Sequence, residues 1–368
     1  MKTLRLLSVL MLMVFLMPET GFSQYTTKRV RSKYQQYTDS LKKVEYNYVF
    51  PILGQGAYKE GFDIPYPIGF MLNYFWADQG VLIQNLQLGY QNAYNEGNSF
   101  DLRPIVDENG EEILKFGENR NVSYSLNVRP DLWLFPFLNV YGIFGWGQSH
   151  TEVNIVGLGN APFNMTSEVS QGIRTSGFGI LAAGGIGPVW VTADFNLTWN
   201  KPELLDKATR ANVLGLRMGK AFVFKNRPYS NVAFWIGAMR IEMQSETVGE
   251  VPMNQALPQE VWDNKDATVK QYWDWYNNDA TAIQQKIADK TLTPIINELD
   301  NRKGESIIQY GIDKQVAQKW NMLLGAQYQI NKRWQIRFEA GLIGDRKSFL
   351  SSVNYRLLGF KKKKVNIN

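Results

Sequence analysis

The chain has 368 residues, with 40 lysines and arginines against 34 aspartates and glutamates, a net charge of +6 and no cysteine. The lack of cysteine excludes a disulfide framework, a lipid-anchored cysteine and thiolate metal sites. The mild charge, with its only tight basic cluster at 361–364, excludes the extended basic face that nucleic-acid binding requires.

The first residues predict a secretory signal peptide. Lys2 and Arg5 precede a largely apolar stretch of 12 residues, 6–17, which is too short to span about 30 Å of hydrocarbon, and a small-x-small cleavage site follows. We therefore expect residues 1–23 to be removed on export. Residues 24–64 are expected to lie in the periplasm, either as a short amphipathic helix or without regular structure.

From residue 65 onward, the chain predicts long strands that alternate between an apolar and a polar face. In 189–199 every odd-numbered side chain is apolar, and the even positions include Thr192, Asp194 and Asn196. Because the polar faces carry charges while the apolar faces end in Trp and Tyr, this pattern predicts a transmembrane β-barrel with lipid outside and aromatic girdles at the interfaces. Clear alternation also occurs at 122–131, 321–331 and 334–342, and the other strands are predicted at 68–76, 138–153, 173–185, 211–224, 231–243 and from the turn at 344–347 to Phe360.

Connections between these strands are alternately short and long. The short ones lie near Phe135, Ile186, Lys225 and Asn331, and the long ones span 93–120, 155–171, 200–209 and 246–316. Short turns at one end and long loops at the other are typical of bacterial outer-membrane barrels. If residues 67–92 form a single strand, all long loops lie at the extracellular end of the barrel. The prediction is therefore an all-β, antiparallel, up-and-down barrel of ten strands, with twelve as the alternative.

Three segments resemble a known group of proteins: RPDLWLFPFLNVYGIFGW at 129–146, FWIGAM at 234–239 and WQIRFEAGLIGDRKSFLSSVNYRLLGF at 334–360. They are similar to a family of uncharacterised bacterial outer-membrane β-barrels, which are porin-like, over most of 65–245 and 317–360. The resemblance implies an outer-membrane barrel domain over 65–360 and supplies no catalytic residue and no cofactor. The chain departs from the family's pattern in its basic tail, 361–368.

Charged residues on the polar faces are the first candidate site. One interpretation is a lining that selects an ionic solute. The other is structural, because side chains nearly fill a barrel of this size and charges in so narrow a space pair with one another. The residues predicted to face the lumen are Arg129, Asp131, Asp194, Arg217, Arg240, Glu242, Arg337, Glu339 and Arg356.

His150 is the only histidine and is predicted near the outer rim. A hydrolase would place a serine or an aspartate within reach of it, but the adjacent Ser149 points to the opposite face of a strand. The sequence therefore predicts no catalytic set, no metal site and no cofactor.

The insertion at 246–316 predicts two or three helices, one of them beginning at Thr293-Pro294. Packing within the loop is one interpretation of its aromatic residues. A lid over the barrel mouth, and a surface for a glycan or another protein, are the others. The candidate surface residues are Trp262, Tyr272, Trp273 and Trp275.

Two functions are compatible with this pattern. The first is a narrow porin-like or transport-related barrel of unknown substrate. The second is a structural or surface-interaction barrel with a plugged lumen, which presents the 246–316 insertion. The expected partners are outer-membrane lipid, the barrel-assembly machinery and a small solute or surface ligand, without nucleic acid. We expect a monomer that is not an enzyme.

Overall fold

The computed structural model describes residues 33–107, 110–186, 188–203, 207–243, 246–257, 259–301 and 303–362. The predicted signal peptide and most of the basic tail lie outside these residues. The described strands are β1 (Ile68–Gln91), β2 (Phe100–Pro104), β3 (Leu114–Phe116), β4 (Asn119–Phe135), β5 (Leu138–Leu158), β6 (Ala161–Ile186), β7 (Val189–Pro202), β8 (Thr209–Val223), β9 (Asn231–Met243), β10 (Glu246–Pro252), β11 (Ile307–Val316), β12 (Trp320–Gln329), β13 (Trp334–Ile343) and β14 (Lys347–Leu357). The described α-helices are α1 (Lys33–Leu41), α2 (Gly54–Lys59), α3 (Met253–Ala256), α4 (Gln259–Asp263), α5 (Lys265–Asn278), α6 (Ala282–Lys290) and α7 (Leu292–Asp300).

Ten of these strands close into an antiparallel barrel in the order β1, β4–β9, β12–β14. The closing strand is β1, which pairs with β4 from Ile68↔Leu132 onward and with β14 from Ile68↔Leu357 onward. Closure pairs the backbone of every wall strand, which a chain in hydrocarbon requires. The predicted ten-stranded barrel is confirmed, and residues 67–92 contribute one long strand.

The outer wall carries an apolar belt. Strands β12, β13 and β14 are 10, 10 and 11 residues long, which matches the 9–11 residues of a membrane-spanning strand. The predicted alternation is confirmed on β7, where Phe195 is 41% exposed and Asp194 is 8% exposed. Exposed Trp146 and Phe338 extend the belt, so hydrocarbon solvates this face.

The strand connections place the short turns at one end and the longer connections at the other. One expectation is wrong: residues 155–171 are not a loop. Strands β5 and β6 run on to a turn at Gly159-Asn160, and this hairpin stands beyond the membrane. It is held there because its inward residues Ile155 and Phe163 are buried in an apolar core.

That apolar core lies above the barrel and not inside it. It is formed by strands β2, β3, β10 and β11, by helices α3–α7 and by the outer halves of β1, β5 and β6, a unit called the cap below. The three longer helices α5–α7 match the two or three expected. Helix α7 begins at Leu292, with Thr291 as its N-cap residue, slightly earlier than the Thr293-Pro294 start that the sequence favours.

The N-terminal segment 33–66 packs against the opposite end of the barrel, beside the short turns. The backbone N–H of Ile52 donates to the carbonyl of Leu134 at 2.7 Å, and that of Tyr34 donates to the carbonyl of Lys225 at 3.3 Å. Tyr37 Oη donates to Asp63 at 2.8 Å. The expected amphipathic helix is therefore α1, and the segment packs against the short-turn end of the barrel. No helix within the described residues has the length and apolarity needed to cross a bilayer.

Candidate functional site

Three chambers follow one another along the barrel axis. The lower chamber, of about 340 Å³, lies towards the short turns. The lumen chamber, of about 290 Å³, follows it towards the outer mouth. The cap chamber, of about 230 Å³, lies beneath the helices. The lumen chamber and the cap chamber adjoin each other and share four lining residues, Gln171, Tyr310, Ile312 and Lys314.

A cluster of charged side chains, called the gate cluster below, crosses the barrel interior between β7, β8 and β13. Arg217 donates from Nε and Nη2 to the two oxygens of Glu339 at 2.6 and 2.9 Å, and from Nη1 to Asp194. Arg337 and the Trp235 indole N–H each add a bond of 2.8 Å to Glu339. Paired in this way, the carboxylates of Asp194 and Glu339 can remain buried, and the cluster crosses the lumen at its midsection.

Small residues beside the cluster make room for these large side chains. The Trp235 ring lies over Gly325, where an added Cβ would meet it at 2.0 Å. Asp131 likewise reaches over Gly69, where a Cβ would meet its carboxylate at 2.2 Å. A ten-stranded barrel has little interior volume. At these two positions, glycine on the neighbouring strand therefore leaves the space that Trp235 and Asp131 occupy.

The lower chamber carries the remaining inward charges. Arg356 pairs with Asp131 at 2.9 Å, and Asn139 donates to the same carboxylate at 2.7 Å. Arg129 stacks its guanidinium 3.9 Å from the centre of the Tyr141 ring. The structure thus places seven of the nine predicted lumen residues inside the barrel, most of them paired with one another.

The other two predicted lumen residues, Arg240 and Glu242, do not face the lumen. Inward-facing Arg217 lies opposite Gly237, whereas Arg240 lies opposite Leu214, so the odd positions of β9 point inward and the even positions point outward. Arg240 and Glu242 pair at 2.5 Å on the outer wall, with side chains 38% and 39% exposed. The sequence-based expectation assumed that charged residues on a strand face the lumen. This part of β9 lies beyond the apolar belt, where the outer face of the wall is also polar.

The N-terminal segment contacts the short-turn end of the barrel around one lysine. Lys332, in the β12–β13 turn, pairs with Asp63 at 3.0 Å. Its ammonium also lies 4.9, 5.3 and 5.9 Å from the ring centres of Tyr37, Tyr229 and Tyr66. Such cation–π contacts strengthen as the cation is desolvated. The segment is thereby attached to the barrel at its mouth.

The cap chamber is apolar except at its floor. Its walls are mainly leucine, isoleucine, valine, phenylalanine and methionine side chains, and Lys314 is its one charged lining residue among the described parts of the chain. Lys314 Nζ donates to Thr151 Oγ1 at 3.1 Å, and no described carboxylate lies within 4.0 Å of it. Burial lowers the pKa of Lys314 from 10.5 to about 8, because desolvation disfavours its charged form. Sequence reasoning missed this residue, since it lies inside the insertion and shows no motif.

The aromatic residues of the insertion lie in the cap core. Tyr272 and Trp275 are 1% and 2% exposed, and Trp262 and Trp273 pack against the same core from partly buried positions. Tyr272 also lines the cap chamber and bonds Thr293 Oγ1 through its hydroxyl at 2.6 Å. These rings are packing groups of a cap that covers the barrel mouth.

His150 lies on the outer face of the β5–β6 hairpin. Its Nδ1 is 2.8 Å from Ser170 Oγ and its Nε2 is 3.8 Å from Glu168. Sequence reasoning did not identify this serine, because the pairing is set by the cross-strand register His150↔Ser170. The histidine side chain is 44% exposed and lies on an open strand surface. Within the described residues, no cluster of three or more acids or histidines could hold a metal ion.

Comparison with known proteins identifies barrels of the same general kind. No protein-family model and no curated protein matches the chain. Among solved structures, the β domain of the Bordetella autotransporter BrkA is similar at 10% identity and a TM-score of 0.34, covering 79% of this chain and 100% of that one. The translocator domain of the autotransporter NalP from Neisseria meningitidis is similar at 9% identity and a TM-score of 0.30, covering 82% and 92%. An outer-membrane channel of Pseudomonas putida is similar at 9% identity and a TM-score of 0.28, covering 80% and 96%.

Similarities at this level carry no argument about ligand or activity. The assignment of the chain rests on its own geometry, namely a closed ten-stranded wall, spanning strands of bilayer length and an apolar outer belt. The chain is an outer-membrane β-barrel, with a charged cluster across the midsection of its lumen and a helical cap at its outer end.

Proposed function

We propose that this barrel binds a small apolar or amphipathic solute in the cap chamber and passes it inward through a gated lumen. The observation that carries the proposal is the apolar chamber of the cap, which adjoins a more polar chamber below it. Ligand sites are concave, mostly apolar and furnished with a few polar groups. A chamber used only for packing would instead be filled by side chains.

The gate cluster and the N-terminal segment represent the closed state in this proposal. Arg217 and Glu339 bridge non-adjacent strands across the lumen, so solute passage requires their ion pair to separate. Lys332 and Asp63 form a second closure at the periplasmic mouth. The protein is accordingly a gated barrel and not an open diffusion pore.

The binding step is testable with a neutral fluorescent probe, N-phenyl-1-naphthylamine, added to the protein in lipid nanodiscs. Val169 on β6 lines the cap chamber, so Val169→Trp should fill it and abolish saturable binding. The adjacent Ser170 points outward and is exposed, so Ser170→Trp is the matched control and should bind the probe as wild type does. Wild type without saturable binding, or equal binding by both variants, would refute the proposal.

A second candidate is the structural or surface-interaction barrel that presents the cap. The filled midsection of the lumen favours it, because a permanent plug is compatible with display and not with transport. Single-channel recording in a planar bilayer distinguishes the two. Solute-dependent openings support transport, whereas a barrel that never conducts, even after the gate cluster is removed, supports display.

We further propose that the protein is a monomer, that the barrel-assembly machinery inserts it and that it is not an enzyme. The self-closed wall leaves no barrel strand edge for a second copy. Light scattering of the detergent-solubilised protein tests the monomer, and depletion of the assembly machinery tests insertion. The enzyme question is tested with ester and peptide substrates, against which wild type and His150→Ala should both be inactive.

A further inference from the structure

Lys314 is a charged residue of the interior that takes no part in the gating proposed above. It lies on β11 at the boundary of two chambers with different linings. Above it are apolar side chains such as Leu86 and Ile296, and below it are polar ones such as Asn121 and Ser149. Among the described residues lining these two chambers, it is the only charged group.

We propose that the two chambers hold a single-chain anionic amphiphile, with its tail in the cap chamber and its carboxylate on the Lys314 ammonium. This rests on the proposed function, since it names the class of solute for the same chamber. The Thr151 hydroxyl, already 3.1 Å from Nζ, and the Gln171 side chain, which lines both chambers, are polar neighbours of the carboxylate position.

Charge complementarity favours an anion over a neutral solute. A desolvated ammonium without a carboxylate partner is unfavourable, and Nζ donates to a neutral hydroxyl, that of Thr151. A ligand carboxylate would offset this cost through a charge-assisted bond. A neutral ligand would fill the same apolar volume but would leave the ammonium without a carboxylate partner.

The chamber size favours one short chain. The cap chamber measures about 230 Å³, below the usual 300–1,000 Å³ of pockets for drug-sized ligands. A two-chain phospholipid is too large for such a volume, whereas a medium-length chain with its head in the adjoining chamber is compatible with it. Decanoate and decanol are therefore suitable probes, since they share a chain and differ in the charge of the head.

The experiment measures displacement of N-phenyl-1-naphthylamine from nanodisc-embedded protein by decanoate and by decanol, with empty nanodiscs subtracted. At pH 7 decanoate should bind between about 10-fold and about 100-fold more tightly than decanol, the range expected for a hydrogen bond to a charged group. Lys314→Met should abolish this preference and keep decanol binding. Lys319→Met removes a charge that pairs with Glu242 outside the chamber, so it should keep the preference.

A pH series on wild type tests the same inference without a variant. Because burial sets the pKa of Lys314 at about 8, the ammonium is lost above that pH, and decanoate affinity should fall up to about tenfold per pH unit there. Decanol affinity should not change.

The other titratable groups lining the two chambers are Tyr124, Tyr272 and Tyr310, with the pKa of Tyr272 raised to about 12 by burial. Asp313 alternates with Lys314 along β11 and projects to the other face, beside Asn85.

The outcomes separate this inference from the proposed function. Equal affinity for decanoate and decanol, unaltered by Lys314→Met, would overturn the anionic class and leave the apolar binding site standing. Failure of wild type to bind the neutral probe or either ligand would overturn both.

Discussion

Glu339→Gln is the substitution that tests the gate cluster most directly. The Glu339 side chain is 5% exposed and accepts bonds from Arg217, Arg337 and Trp235. Glutamine keeps the shape of the side chain but removes its charge. Arg337 then loses the carboxylate with which it pairs, and Arg217 keeps only Asp194.

The expected loss in the free energy of unfolding is about 3–5 kcal/mol, because breaking a buried pair leaves an uncompensated buried charge. The matched control is Glu242→Gln on the outer wall. Glu242 also pairs with an arginine, Arg240, but is 39% exposed, and an exposed pair contributes about 0–1 kcal/mol. The same chemical change should therefore differ by at least about 2 kcal/mol between the two sites.

The assay is urea unfolding in lipid bilayers, followed by tryptophan fluorescence. A second readout is planar-bilayer conductance, in which Glu339→Ala should open the lumen while Glu242→Ala should conduct as wild type does. Equal destabilisation by the two glutamine variants would refute the buried-charge reasoning. A closed lumen in Glu339→Ala would refute the gating role.

Three further substitutions test other parts of the molecule. Leu299→Ala, at a cap-core position that is 1% exposed, should destabilise the cap by about 2–5 kcal/mol and speed its cleavage by chymotrypsin, whereas Ile283→Ala, 46% exposed, should not. Lys332→Met removes the Asp63 ion pair and the tyrosine contacts, so amide hydrogen exchange in residues 33–66 should accelerate. His150→Ala, on the exposed hairpin face, should alter unfolding by less than about 0.5 kcal/mol and leave probe binding unchanged; a large effect on binding would assign this face a role.

The alternation of apolar and polar residues was sufficient to predict the barrel wall. A strand has a period of two, so local sequence decides which side chains share a face, and the bilayer decides which of the two faces is apolar. Residues 189–199 demonstrate this, since every outward and inward assignment there holds. The parity of short and long connections then predicted ten strands.

The errors arose where the strands leave the membrane. Arg240 and Glu242 carry charge on the outer face because water surrounds that face beyond the belt. Residues 155–171 form a hairpin because the cap covers their inward side chains, a contact with residues about 100 positions away in sequence. Neither the end of the hydrocarbon nor the position of the cap is encoded in the local pattern.

The sequence alone determined that this chain is a ten-stranded transmembrane barrel with a helical outer insertion, because period and connection length are local properties. Only the tertiary structure decided what the interior contains. Arg217 meets Glu339 across two intervening strands, and Lys314 lies between two chambers whose walls come from β1, β5, β6 and the cap. Such neighbours are set by barrel closure and by packing of the insertion, so no stretch of the sequence could reveal them in advance.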